Sequence, residues 1–338
     1  MSFWAGRRVL VTGGAGFIGW NLTRRLLEVG ARVRMVDNLA RAAGREPELS
    51  PTPAEIEFCE LDLRDPQAGR QACQGCEVVF HFAARAGSLG YYQQHPGKVL
   101  RENLLMDAQL VEAALATGVE AFFYPSSSML YPLERQQTPD SPALKEEDAL
   151  PANPPNSYGW AKLVGEQVVA QAAGENGLRV AILRLENVYG PGQDTDLERG
   201  SIIPVLARRA LEYPRVLFQL RGRGRETRCY VYVSDAVEAM LRAVEALERQ
   251  PVVGPLNLSG PERVSMLELA GQIARLAGKE LEPVLLPGET RIWGQVLDST
   301  RACAQLDWRP RVSLPEGLRR TLEYVETKLA REAERVQV

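Results

Sequence analysis

Short apolar runs alternate with longer amphipathic stretches through the first half of the chain, and this alternation carries most of its folding information. Residues 7–12 read as a buried strand that ends in a glycine-rich turn. A helix follows over 17–29, where Ile18, Leu22, Leu26 and Val29 share one face. Residues 33–36 return as a strand, and further short apolar runs stand at 56–60, 78–81, 121–124 and 180–185. The stretches between them have helical spacing, most clearly at 99–117 and 157–174, with Ser157 placed to cap the second. Strands alternating with helices predict an α/β fold, a doubly wound, Rossmann-type parallel sheet covered on both faces.

The pattern changes after Gly190-Pro191. Segments 191–200, 220–229 and 286–298 mix glycine, arginine and single apolar residues without a clean period, whereas 234–248, 265–277 and 315–330 read as helices. Residues 1–190 are therefore expected to form a dinucleotide-binding domain, with sheet and helix contributions from 228–260. Residues 191–338 would form most of a smaller, mixed C-terminal lobe whose irregular segments face the cleft.

Composition narrows the function classes. Forty basic and forty-three acidic side chains leave a net charge of −3, so no global positive field recruits nucleic acid. Five cysteines, an odd number, argue against a disulfide framework. His81 and His95 are the only histidines and Cys73-x-x-Cys76 stands alone, so no metal site is expected. The first apolar stretch, Val9-Leu10-Val11, is too short for a signal or a membrane span, and the expected location is cytoplasmic.

The glycine turn points to a dinucleotide. Gly13 suits the tight turn, Gly16 lets the backbone approach a pyrophosphate, and Gly19 allows close helix packing. The following helix would aim free N–H groups and its positive dipole end at the phosphates. Asp37, 18 residues beyond Gly19, ends the next strand, where a carboxylate accepts from both ribose hydroxyls and repels a 2′-phosphate. NAD is thus expected rather than NADP. Arg34 lies in the preceding strand, and only Arg41, on a folded-back loop, would favour a 2′-phosphate.

Candidate chemistry comes from a second helix. Tyr158 and Lys162 are four apart and share a face. A free tyrosine titrates near pH ~10, but an adjacent ammonium favours the phenolate, so Tyr158 becomes a candidate base. Ser126-Ser127-Ser128 follows an apolar strand and places hydroxyls at its carboxyl end, where ligands collect in such sheets. One of these three hydroxyls would share the substrate hydroxyl with Tyr158, and Lys162 would also hold the nicotinamide ribose.

Together these segments, with Asp62-Leu63, His81-Phe82-Ala83-Ala84 and Arg184-Leu185-Glu186-Asn187-Val188-Tyr189-Gly190, resemble the extended short-chain dehydrogenase/reductase family and its nucleotide-sugar epimerases and dehydratases. Segments 145–151, 87–90 and 227–230 most resemble the GDP-mannose 3,5-epimerases. The resemblance implies that Phe17, Ile18 and Asn38 join the cofactor contacts, that Asp62 and Leu63 border the adenine, and that Ala83, Ala84 and Asn103 line the cofactor cleft. It gives to Ser127 the part of sharing the substrate hydroxyl with Tyr158. It also implies that Gly87, Ser88, Leu89, Ser128, Met129 and Ser201 approach the sugar, while Asn187 and Arg228 hold the diphosphate. A homodimer is implied through helices 99–117 and 157–174, where Leu104, Leu105, Leu110 and Leu115 supply apolar surface.

Two departures from that resemblance choose among reactions. Dehydratases of the family carry Asp-Glu where this chain has Ser128-Met129. The 3,5-epimerases carry a cysteine at the position of Met129 and a lysine before the helix that begins here near Ser201. A thioether does not exchange protons usefully. What remains suffices for reversible oxidation at C4, so the leading expectation is an NAD-dependent 4-epimerase acting on a GDP-sugar. The alternatives are a 3,5-epimerase using Glu186 or Asp194, a 4-dehydrogenase or reductase, and a non-catalytic NAD-binding regulator.

Overall fold

The computed structural model describes residues 3–40, 56–288 and 290–336; Arg41 lies outside them. Seven strands form one sheet: β1 (Arg8–Thr12), β2 (Arg32–Asp37), β3 (Ile56–Glu60), β4 (Val78–His81), β5 (Ala121–Ser127), β6 (Arg179–Leu185) and β7 (Val252–Leu258). They run in the order β7-β6-β5-β4-β1-β2-β3, and every pairing is parallel. The central strands are apolar on both sides because helices cover both faces. Alternation along β1 divides the core: Val9 and Val11 pack with Phe80 and Phe123 beneath α1 (Phe17–Glu28), whereas Leu10 packs with Val79 and Phe122 on the other face.

Helix α2 (Pro66–Cys73) and the six-residue α3 (Leu89–Gln94) precede α4 (Pro96–Thr117), which ends on Gly118 at φ +74°. Helix α5 (Ser157–Gln171) packs along α4. Its cap is Asn156, one residue before the expected Ser157: the Asn156 side chain accepts from Gly159 N at 2.9 Å. Gly159 is pressed against the Met129 carbonyl, leaving no room for a Cβ. That contact sets the register of the first turn, and the Ser157 hydroxyl is left buried without a partner.

The second half supplies β7 to the sheet and α7 (Val233–Glu245) to the face already covered by α1. Beyond them, α6 (Ile202–Glu212), α8 (Met266–Leu276), α9 (Thr300–Gln305) and α10 (Leu314–Val336) surround short strand pairings. Residues 219–221 pair in parallel with 284–286, and 227–228 pair with 264–265 and 294–295. Two of the three segments expected to be irregular, 220–229 and 286–298, thus contain strands of two or three residues, too short to leave a periodic signal. The fold is a Rossmann-type core with a smaller mixed C-terminal lobe. The chain leaves β1 for β2 and β3 on one side, then crosses back from β3 to β4 on the other side of β1, and a cleft opens at that switch point, at the strands' carboxyl ends.

Candidate active site

The cleft has a volume of about 530 Å³ and begins at the glycine turn. Gly13 has φ +62°, and a Cβ there would stand 2.6 Å from the Phe82 carbonyl carbon and 2.7 Å from Ala83 N. A Cβ on Gly19 would overlap the backbone of Gly13 and Gly14. Gly16 caps α1 without a side-chain hydrogen bond, so among the described residues no cap side chain takes the N–H groups of that end. Asp37 holds the turn from the neighbouring strand, Oδ2 accepting from Ala15 N at 3.1 Å and Oδ1 from Leu39 N at 2.9 Å. With Phe17, Ile18 and Asn38 also lining the cleft, this uncapped, carboxylate-flanked cradle fits a dinucleotide without a 2′-phosphate.

Asp62 and Leu63 line one end of the cleft. The Arg64 guanidinium, 2.5 Å from Asp62, holds that carboxyl far below the usual range, and Asn38 Nδ2 donates to the same group at 3.3 Å. Arg64 also reaches Glu102 at 3.2 Å, and Glu102 accepts from Arg85 at 2.6 Å. Burial pushes the Glu102 carboxyl up, but its arginine partners outweigh burial and leave it lowered. Spacing did not reveal this Arg64–Glu102–Arg85 chain along the cleft, because its members come from three separate segments.

Ala83, Ala84, Gly87 and Ser88 form the adjoining wall, where Ala83 N donates to Thr12 Oγ1 at 3.1 Å. Asn103 corrects one expectation. It is buried behind that wall, its Oδ1 accepting from Arg85 N at 2.9 Å and its Nδ2 donating to the Val99 and Arg85 carbonyls. Its role is to hold the segment that lines the cleft.

At the other end the cleft is lined by Ser126 and Ser127 from β5 and by Tyr158 and Lys162 from α5. Lys162 is almost wholly buried, and its Nζ lies 4.4 Å from the Tyr124 ring centroid and 5.9 Å from that of Tyr158. Burial lowers its pKa, opposed first by Asp107 and then by Glu166. Glu166 is already bound by both arms of Arg184, each at 2.8 Å. Asp107 instead belongs to a buried chain under the lysine. Tyr124 donates to it at 2.8 Å, His81 Nε2 is 3.1 Å away, and Thr12 meets His81 Nδ1 at 2.8 Å. In the sequence, Asp107 is visible only as an acidic residue four after Asn103 on the same helix face.

The expected sugar and diphosphate residues separate into two groups. Ser201 lines the cleft and accepts from Gln193 Nε2 at 2.7 Å, beside Asp194 and Arg199, which line it too. Gly87 and Ser88 line it as well, whereas Ser128, Met129, Asn187 and Arg228 are not among the lining residues. The Ser128 hydroxyl turns to Gln295 at 3.4 Å, and the Met129 sulfur lies 3.9 Å from Asn156 Nδ2. Asn187, at φ +37°, donates to the Cys229 carbonyl, and Arg228 donates to the carbonyls of Thr227, Ile292 and Trp293. Leu89 opens α3, and its side chain lies outside the described atoms. Glu186 is fully buried away from the cleft, where its Oε2 accepts from Ser259 and Leu297 N; burial raises its pKa to about 7. Among the described residues, no three His, Cys, Asp or Glu side chains gather to hold a metal, and no helix is long and apolar enough to cross a membrane.

The profile of the NAD dependent epimerase/dehydratase family matches residues 9–259. The chain belongs to that family. It is an enzyme, and NAD is its cofactor. Over 325 residues it is 30% identical to GDP-mannose 3,5-epimerase 1 of Oryza sativa subsp. japonica, covering 96% of this chain and 83% of the relative. UDP-glucose 4-epimerase of Mycolicibacterium smegmatis is 33% identical over 328 residues, covering 95% and 99%. Among solved structures, the Thermotoga maritima UDP-glucose 4-epimerase with UDP-glucose superposes with a TM-score of 0.83 at 30% identity, covering 95% of this chain and 99% of that one. Family members of more than one reaction type are therefore similar to this chain over nearly its whole length.

Proposed function

We propose that this family member is a nucleotide-sugar 4-epimerase that works through a transient 4-keto sugar. The observation that carries the reading is the meeting of Ser127, Tyr158 and Lys162 in the cleft that also holds the glycine cradle. When bound, NAD supplies reversible hydride acceptance. Tyr158 takes the proton of the C4 hydroxyl and later returns it, Ser127 orients that hydroxyl, and Lys162 favours the phenolate. Rotation of the keto sugar before reduction presents its other face and inverts C4. Ser128 and Met129 supply neither the Asp-Glu pair of an eliminating enzyme nor a thiol.

The nucleotide proposed first is a UDP-sugar, since the similar 4-epimerases are named for UDP-glucose; a GDP-sugar is the second candidate, on the likeness to GDP-mannose 3,5-epimerase. For the diphosphate, we assign Asn187 and Arg228, which requires Arg228 to turn from its backbone partners. A second reading, C3/C5 epimerisation, is favoured by Asp194, a carboxylate that does line the cleft. Protomers would pair through α4 and α5, whose Leu105, Trp160 and Val164 are 44%, 40% and 39% exposed; sedimentation should then give twice the protomer mass. Leu110, by contrast, is buried against the sheet and gives no surface to that pairing.

The deciding experiment incubates the NAD-loaded enzyme with UDP- and GDP-sugars in deuterated water. Inversion at C4 without deuterium uptake is expected, and deuterium at C3 or C5 would replace this reading with the second. Tyr158→Phe should abolish cofactor reduction by the substrate; unchanged reduction refutes the assignment of the base.

A further inference from the structure

The ring of Tyr158 does not stand alone in the cleft. Tyr92, from α3, lies flat against it, with centroids 5.1 Å apart and planes within 2° of parallel. That separation is in the range of offset stacking. Tyr92 is itself fixed, being buried and accepting a hydrogen bond on its hydroxyl from Gly87 N at 3.0 Å. Gly87 and Ser88 line the cleft, and a Cβ on Gly87 would stand 2.6 Å from the Tyr91 ring. One rigid aromatic side chain thus ties the sugar-facing wall to the ring of the base.

We propose that Tyr92 is a positioning residue that fixes the plane of the Tyr158 ring, keeps its hydroxyl directed into the cleft beside Lys162, and couples that placement to the Gly87–Ser88 wall. This rests on Tyr158 being the base. A tyrosine side chain turns about two bonds, and α5 fixes only the Cα. The stack removes the remaining freedom from one side, while Lys162 Nζ lies 5.9 Å from the ring centroid. Without it, the phenolate spends less time near the ammonium, so the charged form loses part of its support.

The test compares NAD-loaded wild-type enzyme with Tyr92→Phe, Tyr92→Leu and Tyr158→Phe. Tyrosinate absorbance is titrated without substrate, and the step missing from Tyr158→Phe identifies Tyr158. Tyr92→Phe keeps the stack and should leave that step in place. Tyr92→Leu should move it upward by about one pH unit, with kcat near neutrality falling about tenfold, recovering as pH rises, and KM changing less than about twofold. Circular dichroism and bound NAD report whether each variant is folded, and Tyr92→Met, which fills similar volume, repeats the comparison should the leucine variant unfold. A titration step and pH profile unchanged in Tyr92→Leu or Tyr92→Met would overturn the proposal, as would equal kcat losses in the phenylalanine and leucine variants without a shift. Retained turnover in Tyr158→Phe would instead reject the base, a failure recognisable apart from the Tyr92 titration.

Discussion

Replacing Asp107 by asparagine isolates the electrostatic support of Lys162. The two side chains have nearly the same volume, so packing changes little, and the amide still accepts one of the two hydrogen bonds now made by Tyr124 and His81. What disappears is a buried negative charge beneath an ammonium that is itself buried. Glu166 does not take over, because both of its oxygens are committed to Arg184 at 2.8 Å. Removing one partner of a buried charge pair costs about 3–5 kcal/mol. The asparagine dipole and the remaining field of Glu166 place the expected cost at the low end, about 3 kcal/mol near pH 7. In a chain of this length that corresponds to roughly 4 °C in Tm.

The pH dependence supplies the sharper test. Burial holds the Lys162 pKa in the folded state below the unfolded value of 10.5. Between those two values the unfolded chain binds more protons, so the contribution of Lys162 to stability improves as pH rises through that window. Asp107→Asn lowers the folded pKa further and widens the window downward. Its cost should therefore be largest near neutrality and shrink toward pH 10. Thermal unfolding at saturating NAD, at several pH values, measures this directly, and adding Lys162→Met to the variant should recover most of the loss. A cost below about 1 kcal/mol, a cost independent of pH, or no recovery in the double variant would refute the reasoning.

Three other perturbations follow from single contacts. Gly13→Ala places a Cβ 2.6 Å from the Phe82 carbonyl carbon at φ +62°, so NAD affinity, measured by fluorescence titration, should fall at least about tenfold. Asn156→Ala should cost about 1 kcal/mol as a lost helix cap, whereas Ser157→Ala, which removes a buried and unpartnered hydroxyl, should change stability by less than about 0.5 kcal/mol; equal losses in urea unfolding would contradict the assignment of the cap. Glu186, raised from 4.5 to about 7 by burial, keeps its proton in the folded state after the unfolded chain has released it, so its contribution to stability falls by roughly 3 kcal/mol as pH rises from 4.5 to above 7. Glu186→Gln should flatten that slope, and an unchanged slope in unfolding curves over the same range would place the titration elsewhere.

The sheet was legible because a parallel strand covered on both faces is an uninterrupted apolar run, and β4, buried throughout, begins and ends where the run at 78–81 does. The cofactor turn was legible because its glycines are required by local backbone geometry, as the contacts of Gly13 and Gly19 show. Direction was harder to read than position. Arg228 has the charge of a phosphate ligand, yet its guanidinium meets three backbone carbonyls, and only the pairing of 227–228 with 264–265 and 294–295 decides that. Asp107, Tyr124 and His81 become one chain only when α4, β5 and β4 are brought together, so no spacing within a segment announces it.

Helix α5 shows how local and tertiary demands meet at the reactive residues. Gly159 and Gly165 weaken the helix by about 1 kcal/mol each relative to alanine, which sequence propensity alone counts as a defect between Ser157 and Gln171. Each lies at a contact that excludes a Cβ: Gly159 against the Met129 carbonyl, and Gly165 against the Tyr124 hydroxyl and the Asp107 carboxylate. Tyr158 and Lys162 each precede one of them, so the two close approaches set the depth at which the helix delivers the phenol and the ammonium to the cleft. A helix with alanine at both places would be intrinsically more stable and would stand farther from β5. Lys162 would then lie higher above Tyr124 and Asp107, and the support that keeps the buried ammonium charged would weaken with distance.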